Sequence, residues 1–288
     1  MHMKPFALVG LVLAILAPLY GRAEPALWKV RGPHATVWLF GTIHALKPDL
    51  AWRTPRIEAA LRASRALWLE IADADTPASA APLFKRYGED PNQILAQVIP
   101  PADSARLDGA LAPSRLTAAQ VQHMRPWLVG MLVDLAPVVA AGYDPGSGAD
   151  VVLSALARGE RKPVLGFETS EQQVRLFADL PLDQQIAYLE SALDDVDKGK
   201  AELDLIMAAW ATGDVPALET LMNADLELHS QALYRLLLVE RNQRFADRIA
   251  ELARGRGTYF VAIGAAHLAG PDSVQADLAR LGLTAQRQ

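Results

Sequence analysis

The sequence predicts an α/β fold: a central mixed sheet with flanking helices and a long helical insertion. Two observations carry this. Short apolar runs of strand character stand near both ends of the chain, at residues 36–40, 66–71, 162–168 and 258–264. Amphipathic helical patterns separate them, and residues 182–254 read as helix almost throughout, with charges on the exposed faces. Strands interleaved with helices form a sheet covered by helices, and the last strand must return to join the first.

Taken in order, Trp28–Arg31 and Thr36–Phe40 are β-rich and are joined by Gly32-Pro33-His34, a hairpin turn. Thr54-Pro55 is an N-cap followed by proline at the first helical position, and Ile57, Ala60, Leu61 and the small Ser64 form that helix's inner face. Ala66–Ile71 is a near-continuous apolar strand, as expected of one buried on both faces. Residues 72–125 hold short helices broken by proline and glycine, among them Thr117–His123. Leu128–Ala141 is apolar but interrupted by Asp134 and Pro137, and too short to span a bilayer. A glycine-rich loop, Gly142–Gly148, leads into a helix at Ala149–Arg158. Lys162–Glu168 is a second buried strand with a helix from Ser170, and Thr258–Gly264 is a third. Asp272 caps a last amphipathic helix that ends near Leu281.

Residues 1–23 read as an address. Lys4 precedes an apolar run from Phe6 to Tyr20, and Gly21-Arg22-Ala23 fits a small-x-small cleavage signal, so cleavage is expected after Ala23. An uncleaved anchor is the alternative. Residues 24–288 then form a single domain that works in the periplasm or is secreted. Removing the segment takes away Lys4 and Arg22 and no acid, which moves the net charge from −5 to about −7. That acidity argues against a nucleic-acid partner. The chain contains no cysteine, which excludes disulfides, thiolate metal sites, cysteine nucleophiles and lipoprotein lipidation. Chemistry must come from His, carboxylates, hydroxyls, amides or a metal bound through N and O.

No HExxH, GxSxG, P-loop or GxGxxG motif occurs. What stands out is positional. Four strands each run into an acid/base or metal-competent residue: the first into Gly41-Thr42-Ile43-His44, the next into Glu70, the third into Glu168, and the last into Gly264-Ala265-Ala266-His267. The crevice beyond the carboxyl ends of such strands is the usual ligand site of open α/β sheets. Gly41 and Gly264 would let the backbone turn or approach closely, so that each histidine folds back over the sheet edge. Each residue also has a plain structural explanation: a turn histidine for His44 or His267, a salt bridge to a core arginine for Glu70, a helix-dipole carboxylate for Glu168. Two matching G-x-x-H contexts favour a site.

Helical spacing puts Asn242 on the apolar face of Leu238, Phe245 and Ile249, with Arg241 beside it, so this polar pair needs buried partners. Asp150 is either a helix N-terminal carboxylate or a site residue. His34, His123 and His229 lack converging partners and read as structural, and the tryptophans read as packing residues.

The runs LWKVRGPHATVWLFGTIH, LWLEI, GFETSEQ, the RN pair and FVAIGAAHLAGP together resemble the TraB/GumN family, in order, from about Ala26 to the C-terminus. That family includes the pheromone-shutdown proteins and is related to the Tiki proteases, which inactivate Wnt by amino-terminal cleavage. The resemblance implies a fold like that of the erythromycin-esterase and haem-binding ChaN-like proteins. It also implies an active site built from the two G-x-x-H histidines and nearby glutamates, here His44, His267, Glu70 and Glu168, and a divalent metal as in Tiki-type members.

The resulting expectation is a periplasmic metal-dependent hydrolase acting on a peptide or protein, touching the membrane only through its export signal. His44, Glu70 and His267 would ligate manganese, cobalt or zinc, which would activate water. Glu168 would be the general base, with the reverse assignment of the two glutamates equally open. Arg241 and Asn242 would orient carboxylates or stabilise an oxyanion. Two alternatives stand beside it: a metal-free esterase in which a His44–carboxylate pair is the general base, and a non-catalytic protein that sequesters a peptide, metal or haem.

Overall fold

The computed structural model describes residues 24–72, 80–196 and 199–288. Residues 1–23, expected to be an export signal, and the side chain of His229 lie outside the described residues. The predicted α/β class is what the chain adopts. Six strands, β1 (Leu27–Arg31), β2 (Ala35–Thr42), β3 (Leu67–Ile71), β4 (Val164–Glu168), β5 (Gly257–Gly264) and β6 (Ala285–Arg287), form one mixed sheet in the order β4-β3-β5-β2-β1-β6. β4, β3, β5 and β2 run parallel, while β1 is antiparallel to both β2 and β6. The late strand β5 returns to the centre, between β3 and β2. Its register, Leu69 beside Ala262 and Thr42 beside Gly264, brings the three carboxyl ends level.

Alternation along the strands supplies two faces. Phe40, Leu67, Leu69, Phe260 and Ala262 pack with the Pro55–Ala63 and Ala149–Gly159 helices. Val37, Leu39, Val261 and Ile263 pack on the other face with the Glu240–Arg254 and Val274–Arg280 helices. Leu107, Val129, Val133 and Leu189, from helices inserted before β4 and after it, form a separate helical core. Thr54 caps the first helix as expected, its hydroxyl accepting from the Ile57 amide at 3.3 Å.

Several expectations needed correction. Thr117–His123 is a turn: the Gln120 side chain accepts from the Thr117 amide and hydroxyl, and such local bonds compete with helix. Pro126–Ala140 is one helix that runs through Asp134 and Pro137, its buried side carried by Trp127, Val129, Val133 and Ala136. β4 is the sheet's edge and is only partly buried, with Leu165 exposed. Ser273, not Asp272, occupies the last helix's N-cap, and the Asp272 carboxylate instead accepts from the Tyr234 hydroxyl at 3.1 Å. The short edge strand β6 carries no hydrophobic signal and was not foreseen.

Candidate functional site

His44 lies two residues beyond β2, where the Ile43 carbonyl accepts from the Ala149 amide at 2.9 Å and ties this loop to the start of the Ala149–Gly159 helix. Asp150 is in that helix's first turn, and its Oδ2 meets His44 Nδ1 at 3.1 Å. Asp150 is thus both a helix N-terminal carboxylate and a partner of a site histidine. His267 lies in the 3₁₀ turn Ala265–Leu268 directly after β5. Glu70 and Glu168 are borne by the ends of the neighbouring strands β3 and β4. All four strand-end residues therefore come to one edge of the sheet.

Arg241 joins them. Its Nη2 donates to Glu70 Oε2 at 2.5 Å and to Glu168 Oε2 at 2.8 Å, while its Nε donates to both Glu168 oxygens at 3.0 and 3.1 Å. Nη1 donates to the Leu237 carbonyl and to His267 Nε2, each at 3.1 Å. A π-helical turn at Arg235–Val239 precedes the arginine and includes Leu237. The plain explanation for Glu70, a core arginine, is correct, and that arginine belongs to the site.

Asn242 is 1% exposed and turned inward as helical spacing predicted. Its Nδ2 donates to the Asp272 carbonyl at 2.7 Å, which leaves Oδ1 to accept from His267 Nδ1 at 2.6 Å. This fixes the His267 tautomer: Nδ1 carries the proton and Nε2 offers its lone pair to Arg241. Burial, reinforced by the Arg241 charge, lowers the His267 pKa to about 4 despite the opposing carboxylates. The ring is neutral at pH 7.

Glu70 and His44 are shifted in opposite directions. Burial would raise the Glu70 carboxyl, but the charges of His267, Arg241 and His44, with the Gly264 amide donating to Oε1 at 2.6 Å, hold it well below the usual carboxylate range. At neutral pH His267 is uncharged, so Arg241, His44 and the amide are the effective causes. Partial desolvation would lower the His44 pKa, but the Asp150 hydrogen bond and charge, helped by Glu70, push it up to about 9. Its side chain is 65% exposed, so the imidazolium is reachable from solvent.

Gly264 shows how closely the site packs on the turn after β5. A Cβ there would stand 3.1 Å from Glu70 Oε1, 3.5 Å from His267 Cδ2 and 3.8 Å from His44 Nε2. At Gly41 it would press on the Ala265 backbone at 3.1 Å. Neither glycine has positive φ, so close approach and not a left-handed turn is the constraint.

The donor types suit an N/O-bound divalent ion, but their arrangement does not. Among the described residues, no three His, Asp or Glu side chains converge as ligands for one ion. The His267 Nε2 lone pair and Glu70 Oε2 both receive Arg241, and Glu70 Oε1 receives an amide. A guanidinium fills the place that the ligand set His44, Glu70 and His267 reserved for a metal. Glu168, expected as the base, accepts from Arg241, from Arg244 at 3.2 Å and from Gln173 at 3.3 Å, so it anchors cations.

Sequence reasoning missed Gln173, whose Nε2 donates to Glu70 at 2.9 Å and also reaches Glu168. Its position, one turn into the helix that follows β4, was the available signal. Thr42 was also passed over as an inert part of G-x-x-H. It lines a cavity of about 270 Å³ together with His44, Glu70 and Asp150. Thr42 Oγ1 and Asp150 Oδ1 are both buried and have no partner among the described residues.

The TraB/PrgY/gumN family profile matches residues 26–287, nearly the whole described chain. The chain belongs to the TraB/PrgY/gumN family. Among curated relatives, the uncharacterized protein YbaP of Escherichia coli K12 is 27% identical over 241 residues, covering 81% of this chain and 83% of YbaP. An uncharacterized protein of Treponema pallidum is 22% identical over 276 residues, covering 90% of this chain and 81% of its own. No solved structure matches. Membership in the TraB/PrgY/gumN family spans both G-x-x-H segments and every residue of the Arg241 network.

Proposed function

We propose that this TraB/PrgY/gumN protein is a hydrolase of peptide or ester bonds, exported by residues 1–23, with its reacting centre in the cavity at the ends of β2 and β3. One observation carries the reading: His44 and Glu70 line the same 270 Å³ cavity with their proton affinities pushed apart. Such a divergence assigns an acid and a base. His44, held by Asp150, is an imidazolium at pH 7 and donates its Nε2 proton to the leaving group. This reverses the general-base role expected of a His44–carboxylate pair. Glu70 stays ionised, and the lone pair left on Oε1 beside the Gly264 amide can hold the attacking water and take its proton as water adds to the carbonyl, while Oε2 is engaged by Arg241 and Gln173. Arg241 keeps Glu70 charged and in place, Gln173 steadies the same carboxylate, and Asn242 fixes the tautomer of the neutral His267 beside it. Thr42 Oγ1 and Asp150 Oδ1 provide free hydrogen-bonding capacity for substrate or water. No step requires a metal.

The test is product analysis by mass spectrometry after incubating the mature protein with a peptide library and an acyl-ester panel, with chelator present. New ends are expected with wild type and not with His44→Ala or Glu70→Gln. Absence of cleavage by folded wild type, cleavage that survives in both variants, or cleavage that requires added manganese, cobalt or zinc would overturn the proposal.

A further inference from the structure

A cavity of about 710 Å³ is not lined by His44, Glu70 or His267. It lies on the other side of the sheet edge, where the side chains belong to the second core face. Its wall includes Trp68, Phe167 and Phe245, whose rings follow one another at 5.4 and 4.9 Å. Around these rings stand Arg175, Arg244 and Arg248. Only two carboxylates, Glu168 and Asp179, line the same cavity. Glu168 is held by buried Arg241 and reached by Arg244, Asp179 pairs with Arg175 at 2.8 Å, and Arg248 pairs with Glu251 outside the lining. The Arg175 and Arg248 pairs are half-exposed surface pairs, which are weak and yield readily to a ligand.

Two details indicate what would fill it. Arg248 lies 4.8 Å over the Trp68 ring; its Nη1 pairs with Glu251, and the rest of the guanidinium edge is left for a planar acceptor. Trp68 is buried, and its indole N–H finds no acceptor among the described residues. An orphaned donor inside a protein calls for an acceptor. A carboxylate supplies acceptors only, and guanidinium recognises it with charge-assisted bonds. The aromatic wall asks for an apolar group attached to it, which a bare inorganic anion lacks.

We propose that this cleft is a specificity subsite for a carboxylate joined to a bulky apolar group, such as the terminal residue or acyl end of an amphipathic acidic substrate. Calling the occupant a substrate rests on the hydrolase reading above. The cleft adjoins that centre through Glu168, which shares Gln173 with Glu70.

The test is binding, independent of turnover. Calorimetry at pH 7 compares N-acetylphenylalanine with its amide, which differ by one charge. The acid should bind wild type about tenfold tighter than the amide, because charge-assisted bonds to arginine are of that size. His44→Ala should keep this preference, and the double variant Arg244→Gln, Arg248→Gln should lose it. Both arginines are about half-exposed, and a melting curve checks the variant's fold. Equal binding of acid and amide by wild type, or an unchanged preference in the folded double variant, would overturn the proposal. If the preference holds while no bond is ever cleaved, the subsite stands and the hydrolase reading alone falls.

Discussion

Replacing Arg241 with methionine tests the electrostatic centre of the site. The guanidinium is 8% exposed and lies between carboxylates that are 11% and 6% exposed, Glu70 and Glu168. Methionine fills much of the same volume but strips the buried cation from two neighbouring carboxylates, leaving Glu168 only the half-exposed Arg244. Removing one partner of a buried pair costs about 3–5 kcal/mol, mostly the penalty of stranding the other charge. Glu168→Gln should relieve part of that penalty. The double variant should therefore be about 2 kcal/mol more stable than the two single effects summed, and Glu70 accounts for the remainder. Urea unfolding of the four proteins at pH 7 measures this.

The pH dependence follows from the sign of the Glu70 shift. Its folded pKa lies below the ordinary value of 4.5, so its contribution is fully present above pH 4.5 and is lost as pH falls toward the folded value. Without Arg241 the Glu70 carboxyl protonates at higher pH, so the gap between variant and wild type should narrow from pH 7 to pH 4. Additive single effects within about 0.5 kcal/mol, or a gap that widens in acid, would refute the coupling.

Other substitutions probe the surrounding parts. Gly264→Ala places a methyl 3.1 Å from Glu70 Oε1 and should lower kcat/KM by about tenfold or more, while urea unfolding shows a loss of about 1–3 kcal/mol. Asn242→Leu strands the His267 Nδ1–H and the Asp272 carbonyl and should cost about 2–4 kcal/mol by the same assay, with Asn242→Gln no substitute because of its longer reach. If the proposed hydrolysis holds, the rate of cleavage should fall as pH rises through about 9, where His44 loses its proton. Asp150→Asn should move that fall to lower pH, toward the ordinary 6.5, in a pH–rate profile.

The parts of this site that could be read from sequence are those the backbone dictates. His44, Glu70, Glu168 and His267 each follow an apolar strand, and parallel strands in register bring their ends together, so local pattern alone places these residues on one edge. Asn242 was legible for a related reason: a polar residue at helical spacing on an apolar face has to find buried partners. Roles were less legible because they depend on which atoms meet. Nothing in the RN dipeptide says that Arg241 would reach Glu70, Glu168 and His267 together and occupy the place of an ion. Nor does sequence show that both Glu168 oxygens are taken by guanidinium. The aromatic cleft was invisible for the same reason. Trp68 reads as a core residue on β3, and only the folded chain sets Arg248, seven residues beyond Arg241, over its ring.

The most direct measurement of the central claim is a histidine-selective NMR titration of residues 24–288, with His44→Ala and His267→Ala assigning the signals. His44 should titrate near 9, and His267 should remain neutral, with its proton on Nδ1, down to about pH 4. A His44 that titrates near 6.5, or a His267 that takes up a proton in the neutral range, would contradict the acid–base assignment on which the proposed hydrolysis rests.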